Sequence, residues 1–129
     1  MATPTRVLVV EDNPLNLKLL RDVLRHAGFD VVEARSGEDG VARAMESMPD
    51  VILMDLQLPG IDGTQAMRLI KGSPRGSDIP VVAVTAFAMA EDREIALRNG
   101  FDGYLSKPIS VRDLSRWLTE FLPERAADD

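Results

Sequence analysis

The 129-residue chain has no cysteine, one histidine, one tryptophan and one tyrosine. Without cysteine there is neither a disulfide nor a thiolate metal site. A single histidine, His26, cannot build a histidine-rich metal centre or the usual Ser-His-Asp arrangement. No run of 18 apolar residues occurs, so no membrane-spanning helix is expected. The stretch MATPTRVLVVEDN lacks the charged, apolar and small-residue regions of a secretory signal, which makes a cytoplasmic location the expectation. Basic charge is also short: 15 Lys and Arg against 21 Asp and Glu leave a formal net charge of -6. The basic residues are scattered, with Arg21 and Arg25, Arg68 and Lys71, and Arg112 and Arg116 on separate segments. Nucleic-acid binding needs clustered cations, and so is not expected.

What is present is a strict alternation. Five apolar, β-branched runs (Val7–Val10, Val31–Ala34, Val51–Met54, Val81–Thr85 and Gly103–Leu105) separate five stretches of helical periodicity. Runs such as VLVV, VILM and VVAV read as strands buried on both faces, hence parallel. The first helix has Asn13 as N-cap and Pro14 at its first position, and stops at Gly28. Its inward face is expected to carry Leu15, Leu19, Leu20, Val23, Leu24 and Ala27. The second starts at Ser36, presents Val41, Ala44, Met45 and Met48, and ends at Pro49. The third spans about Thr64 to Lys71 with Ala66, Met67 and Ile70 inward. The fourth, about Ala88 to Asn99, has only a thin stripe of Met89, Ile95, Ala96 and Leu97, and is expected to be the least firmly anchored. The fifth runs from a Ser110 cap through Val111, Leu114, Leu118, Phe121 and Leu122 to Pro123.

This pattern predicts an α/β fold: a flavodoxin-like (βα)5 doubly wound, five-stranded parallel sheet of order 2-1-3-4-5 with helices on both faces. One domain is expected over 1–129, with its core at about 6–122 and a short polar tail at 123–129. The GSPRGS stretch at 72–77 is too short to divide domains.

Ligands of open α/β sheets bind beyond the carboxyl ends of the strands, where the strand order reverses. That rule gathers Glu11 and Asp12 after strand one, Asp55 at the end of strand three, Thr85 at the end of strand four and Lys107 after strand five. Asp50 and Asp102 enter strands at the opposite end and are assigned no chemistry. Carboxylates as close as Glu11, Asp12 and Asp55 repel one another and favour a bound cation. Oxygen ligands with room for water suit Mg²⁺. A lysine is out of place in a pure metal-storage site, but beside an aspartate nucleophile it supplies a point charge for a phosphate oxygen. Thr85 offers a hydroxyl to another. His26 shares the polar face of its helix with Lys18 and Asp22 and reads as a solvated side chain. Trp117 and Phe121 read as residues at the edge of the core.

The set EDN at 11–13, LMDLQLPGIDG at 53–63, VTA at 84–86 and SKP at 106–108 resembles the receiver domain of two-component response regulators, in order and from Arg6 to Leu122. The resemblance implies that Asp55 is the phosphoacceptor. Glu11, Asp12 and the backbone carbonyl of Gln57 join Asp55 as metal ligands for Mg²⁺, and Lys107 binds phosphate. Thr85 is then the switch hydroxyl, Tyr104 the rotating aromatic, and Pro108 follows the lysine through a cis bond. Gln57 and Phe87 flank the path of the hydrolysing water and so tune phosphoryl lifetime. VTAFAM at 84–89 with SKPIS at 106–110 is similar to DivK-type single-domain regulators, and Met1 with the polar tail favours a stand-alone protein.

The expected function is therefore a phosphorylation-controlled signalling module, a monomer or weak dimer. It would take phosphoryl from a histidine kinase or phosphotransfer protein and engage a downstream protein through the helix four–strand five–helix five surface. It would catalyse its own phosphorylation and dephosphorylation without turning over an independent substrate. A receiver segment of a hybrid histidine kinase is the alternative within the family. A flavodoxin-like cofactor binder would need a Ser/Thr/Gly-rich loop where this chain has acidic EDN. An aspartyl-nucleophile phosphatase would carry its nucleophile after strand one. A degenerate receiver acting constitutively would lack site residues, and none is missing.

Overall fold

The doubly apolar runs form the middle of a sheet because each of their faces meets a layer of helices. The computed structural model describes residues 4–86, 90–107 and 111–121. Among them, β1 (Arg6–Val10), α1 (Pro14–His26), β2 (Asp30–Ala34), α2 (Gly37–Ser47) and β3 (Val51–Asp55) lead into α3 (Gly63–Lys71). Then come β4 (Val81–Thr85), α4 (Ala90–Asn99), β5 (Gly103–Ser106) and α5 (Val111–Phe121). The strands are all parallel in the order β2-β1-β3-β4-β5. The expected topology is thus the one observed.

Alternate residues of each strand feed two apolar layers. Leu8, Val10, Ile52, Met54, Val81 and Ala83 pack with Ala44 of α2, Ala66, Met67 and Ile70 of α3, and Ala96 of α4. Val7, Val9, Val51, Leu53, Val82 and Val84 pack with Leu17, Leu20 and Leu24 of α1 and with Leu114 and Leu118 of α5. Trp117 and Phe121 stack at the margin of this second layer, ring centroids 4.8 Å apart.

Inward assignments change in three helices. In α1 the buried stripe is Leu17, Leu20 and Leu24, whereas Leu15 and Leu19 are 77% and 51% exposed and Ala27, at the C-cap, is exposed too. Leucines occupy two stripes of this helix, so periodicity alone offers two faces. Met48 has left the helix in the left-handed region and is exposed as the C-cap of α2. In α4, Ile95 and Leu97 are exposed, and Ala96 is the one buried residue among its described side chains. α3 starts one residue earlier than expected, because Asp62 and Gln65 close a capping box: Gln65 N–H donates to Asp62 at 2.8 Å, and Asp62 N–H donates to the Gln65 side chain at 3.0 Å. Met89, Ser110, Leu122 and Pro123 lie outside the described residues.

Asp50 and Asp102 cap strand starts at the edge away from the proposed chemistry. Asp50 accepts the Arg6 N–H at 2.8 Å, and Asp102 accepts the Val81 N–H at 2.8 Å while pairing with Lys71.

Truncating a buried leucine removes contacts and leaves a cavity, whereas truncating an exposed one does neither. Leu24→Ala should therefore lose about 2–5 kcal/mol, and Leu15→Ala less than about 0.5 kcal/mol, in urea titrations. Equal losses would contradict this packing of α1.

Candidate functional site

The sheet register delivers the polar residues to one edge. The ladder runs one step past the strands: Glu11 N–H donates to Ala34 C=O at 3.0 Å, Leu56 N–H to Val84 C=O at 3.1 Å and Lys107 N–H to Thr85 C=O at 2.7 Å. These bonds fix the backbones on which Glu11, Asp55, Thr85 and Lys107 are mounted. Glu11, Asp55 and Thr85 are all buried, at 2%, 4% and 1% exposure, and are the only buried polar or charged residues among those described. Asp12 is exposed beside them.

Glu11, Asp12 and Asp55 each turn a carboxylate oxygen into a group whose members lie within 4.8 Å of one another. Lys107 spans the opposite side, with Nζ 2.8 Å from Glu11 Oε1 and 3.0 Å from Asp55 Oδ2. Asp55 Oδ1 accepts the Gln57 N–H at 3.0 Å, and Glu11 Oε2 accepts the Asn13 N–H at 3.3 Å. Glu11 Oε1 is buried, and the Lys107 ammonium 2.8 Å away is its counter-charge.

Burial raises the Glu11 carboxyl above its ordinary value, and neighbouring Asp55 raises it further against the opposing pull of Lys107 and the Asn13 N–H. Burial alone would lower the Lys107 ammonium, but Glu11 and Asp55 outweigh it and hold it raised. Two buried carboxylates and one lysine leave excess negative charge, with exposed Asp12 adding to it. The donor set suits a hard divalent cation: all oxygen, gathered within 4.8 Å of one another and short of positive charge.

Thr85 faces the α4 side of the sheet and lines a cavity of about 100 Å³ with Leu56, Thr64, Asp92, Ile95, Ala96, Asn99 and Phe101. Tyr104 pairs in register with Ala83, two residues before Thr85, and is half-buried against the same layer. Burial and then Asp92 raise the Tyr104 hydroxyl. Asp92 carries no signal in the sequence, because the apolar pattern of α4 is too weak to show which face it turns inward. Gln57 is exposed, and His26 is exposed as expected. Phe87 and Pro108 lie outside the described residues.

Residues 7–119 match the model of the response regulator receiver domain. The chain belongs to the response regulator receiver family. It is 44% identical over 119 residues to the polar-differentiation response regulator DivK of Brucella anthropi, covering 92% of this chain and 97% of that one. Against DivK of Brucella ovis the identity is 46% over 116 residues, covering 90% and 94%. Among solved structures it is similar to the receiver domain of the sensor histidine kinase PA1611 of Pseudomonas aeruginosa, at 36% identity and a TM-score of 0.85, covering 94% and 99%. That structure has a magnesium ion coordinated in its active-site cleft. The chemotaxis response regulator CheY4 of Vibrio cholerae matches at 25% identity and a TM-score of 0.87, covering 93% and 100%. As a receiver domain of a two-component system, the chain is not an enzyme in the ordinary sense.

Removing Lys107 leaves two buried carboxylates facing each other. In chelator, Lys107→Ala should lower stability by about 1–3 kcal/mol, and adding Asp55→Asn should recover much of that loss. Urea titrations of the two variants check this; a neutral Lys107→Ala would show that the lysine does not balance the pair.

Proposed function

We propose that this receiver accepts a phosphoryl group on Asp55 from a histidine kinase or phosphotransfer protein, and thereby switches a protein-binding surface. The observation that carries the reading is Lys107 Nζ lying 3.0 Å from Asp55 Oδ2 inside an acidic cluster. A carboxylate oxygen of Asp55 attacks phosphorus, the bond from phosphorus to the donor imidazole nitrogen breaks, and the imidazole leaves with its electron pair. The product is an acyl phosphate on Asp55. The Gln57 N–H on Oδ1 fixes the carboxylate rotamer, and a group added at Oδ2 starts beside the lysine. Lys107 then meets one phosphoryl oxygen and the Thr85 hydroxyl another.

Asp12, Asp55, the Gln57 carbonyl and Glu11 are the residues that would hold Mg²⁺, which when bound offsets charge building on the phosphoryl oxygens. Gln57 and Phe87 would set how readily water reaches the acyl phosphate, which makes dephosphorylation a second self-catalysed step. Output is a population shift: Thr85 moves toward the phosphoryl group, Tyr104 follows, and the surface of α4, β5 and α5 changes. An α4 held by Ala96 over a cavity suits such a rearrangement. The -6 net charge supports a protein partner rather than nucleic acid.

Near-complete coverage of DivK relatives at 44% and 46% identity favours a single-domain regulator. The likeness to the receiver of a sensor histidine kinase supports the second reading, a segment of a hybrid kinase.

With acetyl phosphate and Mg²⁺, intact mass should rise by one phosphoryl group in the native chain and not in Asp55→Asn. Chelator should abolish the gain. An unchanged gain in the variant would move the acceptor elsewhere.

A further inference from the structure

The loop from Leu56 to Asp62 carries Gln57, yet it is pressed from both ends by helices that touch it through glycine. At its far end, Gly63 opens α3 and lies against the backbone it has just left. A Cβ there would overlap the Asp55 carbonyl oxygen and come 2.9 Å from Leu56 Cα and 3.0 Å from the Asp55 carbonyl carbon. Its N–H donates to the Leu56 carbonyl at 3.2 Å, which closes the loop on itself. From the other side, Gly37 opens α2, and a Cβ there would sit 2.6 Å from Ile61 Cγ1 and 2.7 Å from the Ile61 carbonyl oxygen. Most of these neighbours are backbone atoms, which cannot swing aside as a side-chain tip can.

We propose that Gly63 and Gly37 are positioning residues for the acceptor site: by admitting α3 and α2 into backbone contact, they set where the Asp55–Gln57 segment stands. This rests on the reading of Asp55 and the Gln57 carbonyl as members of the metal site. Any side chain at Gly63 displaces either the helix or the backbone of Asp55 itself. At Gly37 the displacement enters through Ile61 and reaches Gln57 along the loop. Groups that orient metal ligands change metal affinity by about 10–100-fold when altered. Stability alone need not follow the same pattern.

Gly76 provides the control. It sits beyond the opposite end of α3, where a Cβ would equally strike backbone, overlapping the Ile70 carbonyl oxygen, as well as Met45 Cε at 2.8 Å. Binding of Mn²⁺ is measured by electron paramagnetic resonance on the native chain and on Gly63→Ala, Gly37→Ala and Gly76→Ala, each also titrated with urea. Gly63→Ala and Gly37→Ala should weaken Mn²⁺ by about tenfold or more. Gly76→Ala should lose stability while keeping native affinity within about twofold. Should Gly63→Ala fail to fold, Gly37→Ala, which strikes the loop rather than the strand end, decides the matter. Native affinity in the folded loop variants, or an equal loss in Gly76→Ala, overturns the positioning role and leaves the metal site standing. No binding by the native chain overturns the metal site, and the positioning role with it.

Discussion

Everything at the carboxyl edge of the sheet depends on one unbalanced charge. Glu11 and Asp55 are buried side by side, and a single ammonium, Lys107, reaches both. Burying carboxylates is costly unless they are paired or coordinate a cation. The lysine meets part of that cost, and Asp12 returns the balance to the negative side. The fold tolerates the arrangement because two apolar layers, built from strands apolar on both faces, hold the strand ends regardless of what is mounted on them. A site of this kind is stable enough to exist and short of positive charge, which is the condition for taking up a cation.

The same geometry sets a closely packed half beside a more thinly packed one. Asp55 is backed by β1 and β4, and its following loop is gripped between α2 and α3. Thr85 and Tyr104 instead face α4, which buries only Ala96 among its described side chains and borders a cavity. Chemistry needs fixed ligands, and a switch needs an element with two near-equal arrangements. In the proposed mechanism these demands fall on opposite sides of β4.

The strands were legible because doubly buried runs such as VILM and VVAV have no other economical home, and their order followed from β-α alternation. The clustering of Glu11, Asp55 and Lys107 was legible because topology, not proximity in sequence, brings them together. Helix faces were less so: α1 carries leucines on two stripes, and only packing decides that Leu17 rather than Leu15 or Leu19 turns inward. Asp92 and the contacts of Gly37 and Gly63 were not readable, since a close backbone approach leaves no periodic trace and α4 has almost no apolar face.

The account stands most directly on where a divalent cation sits. Crystals soaked in Mn²⁺ and measured at the manganese absorption edge should show one anomalous peak within about 2.0–2.3 Å of oxygens from Glu11, Asp12, Asp55 and the Gln57 carbonyl. A peak bound elsewhere, or none at this cluster at saturating Mn²⁺, would contradict it.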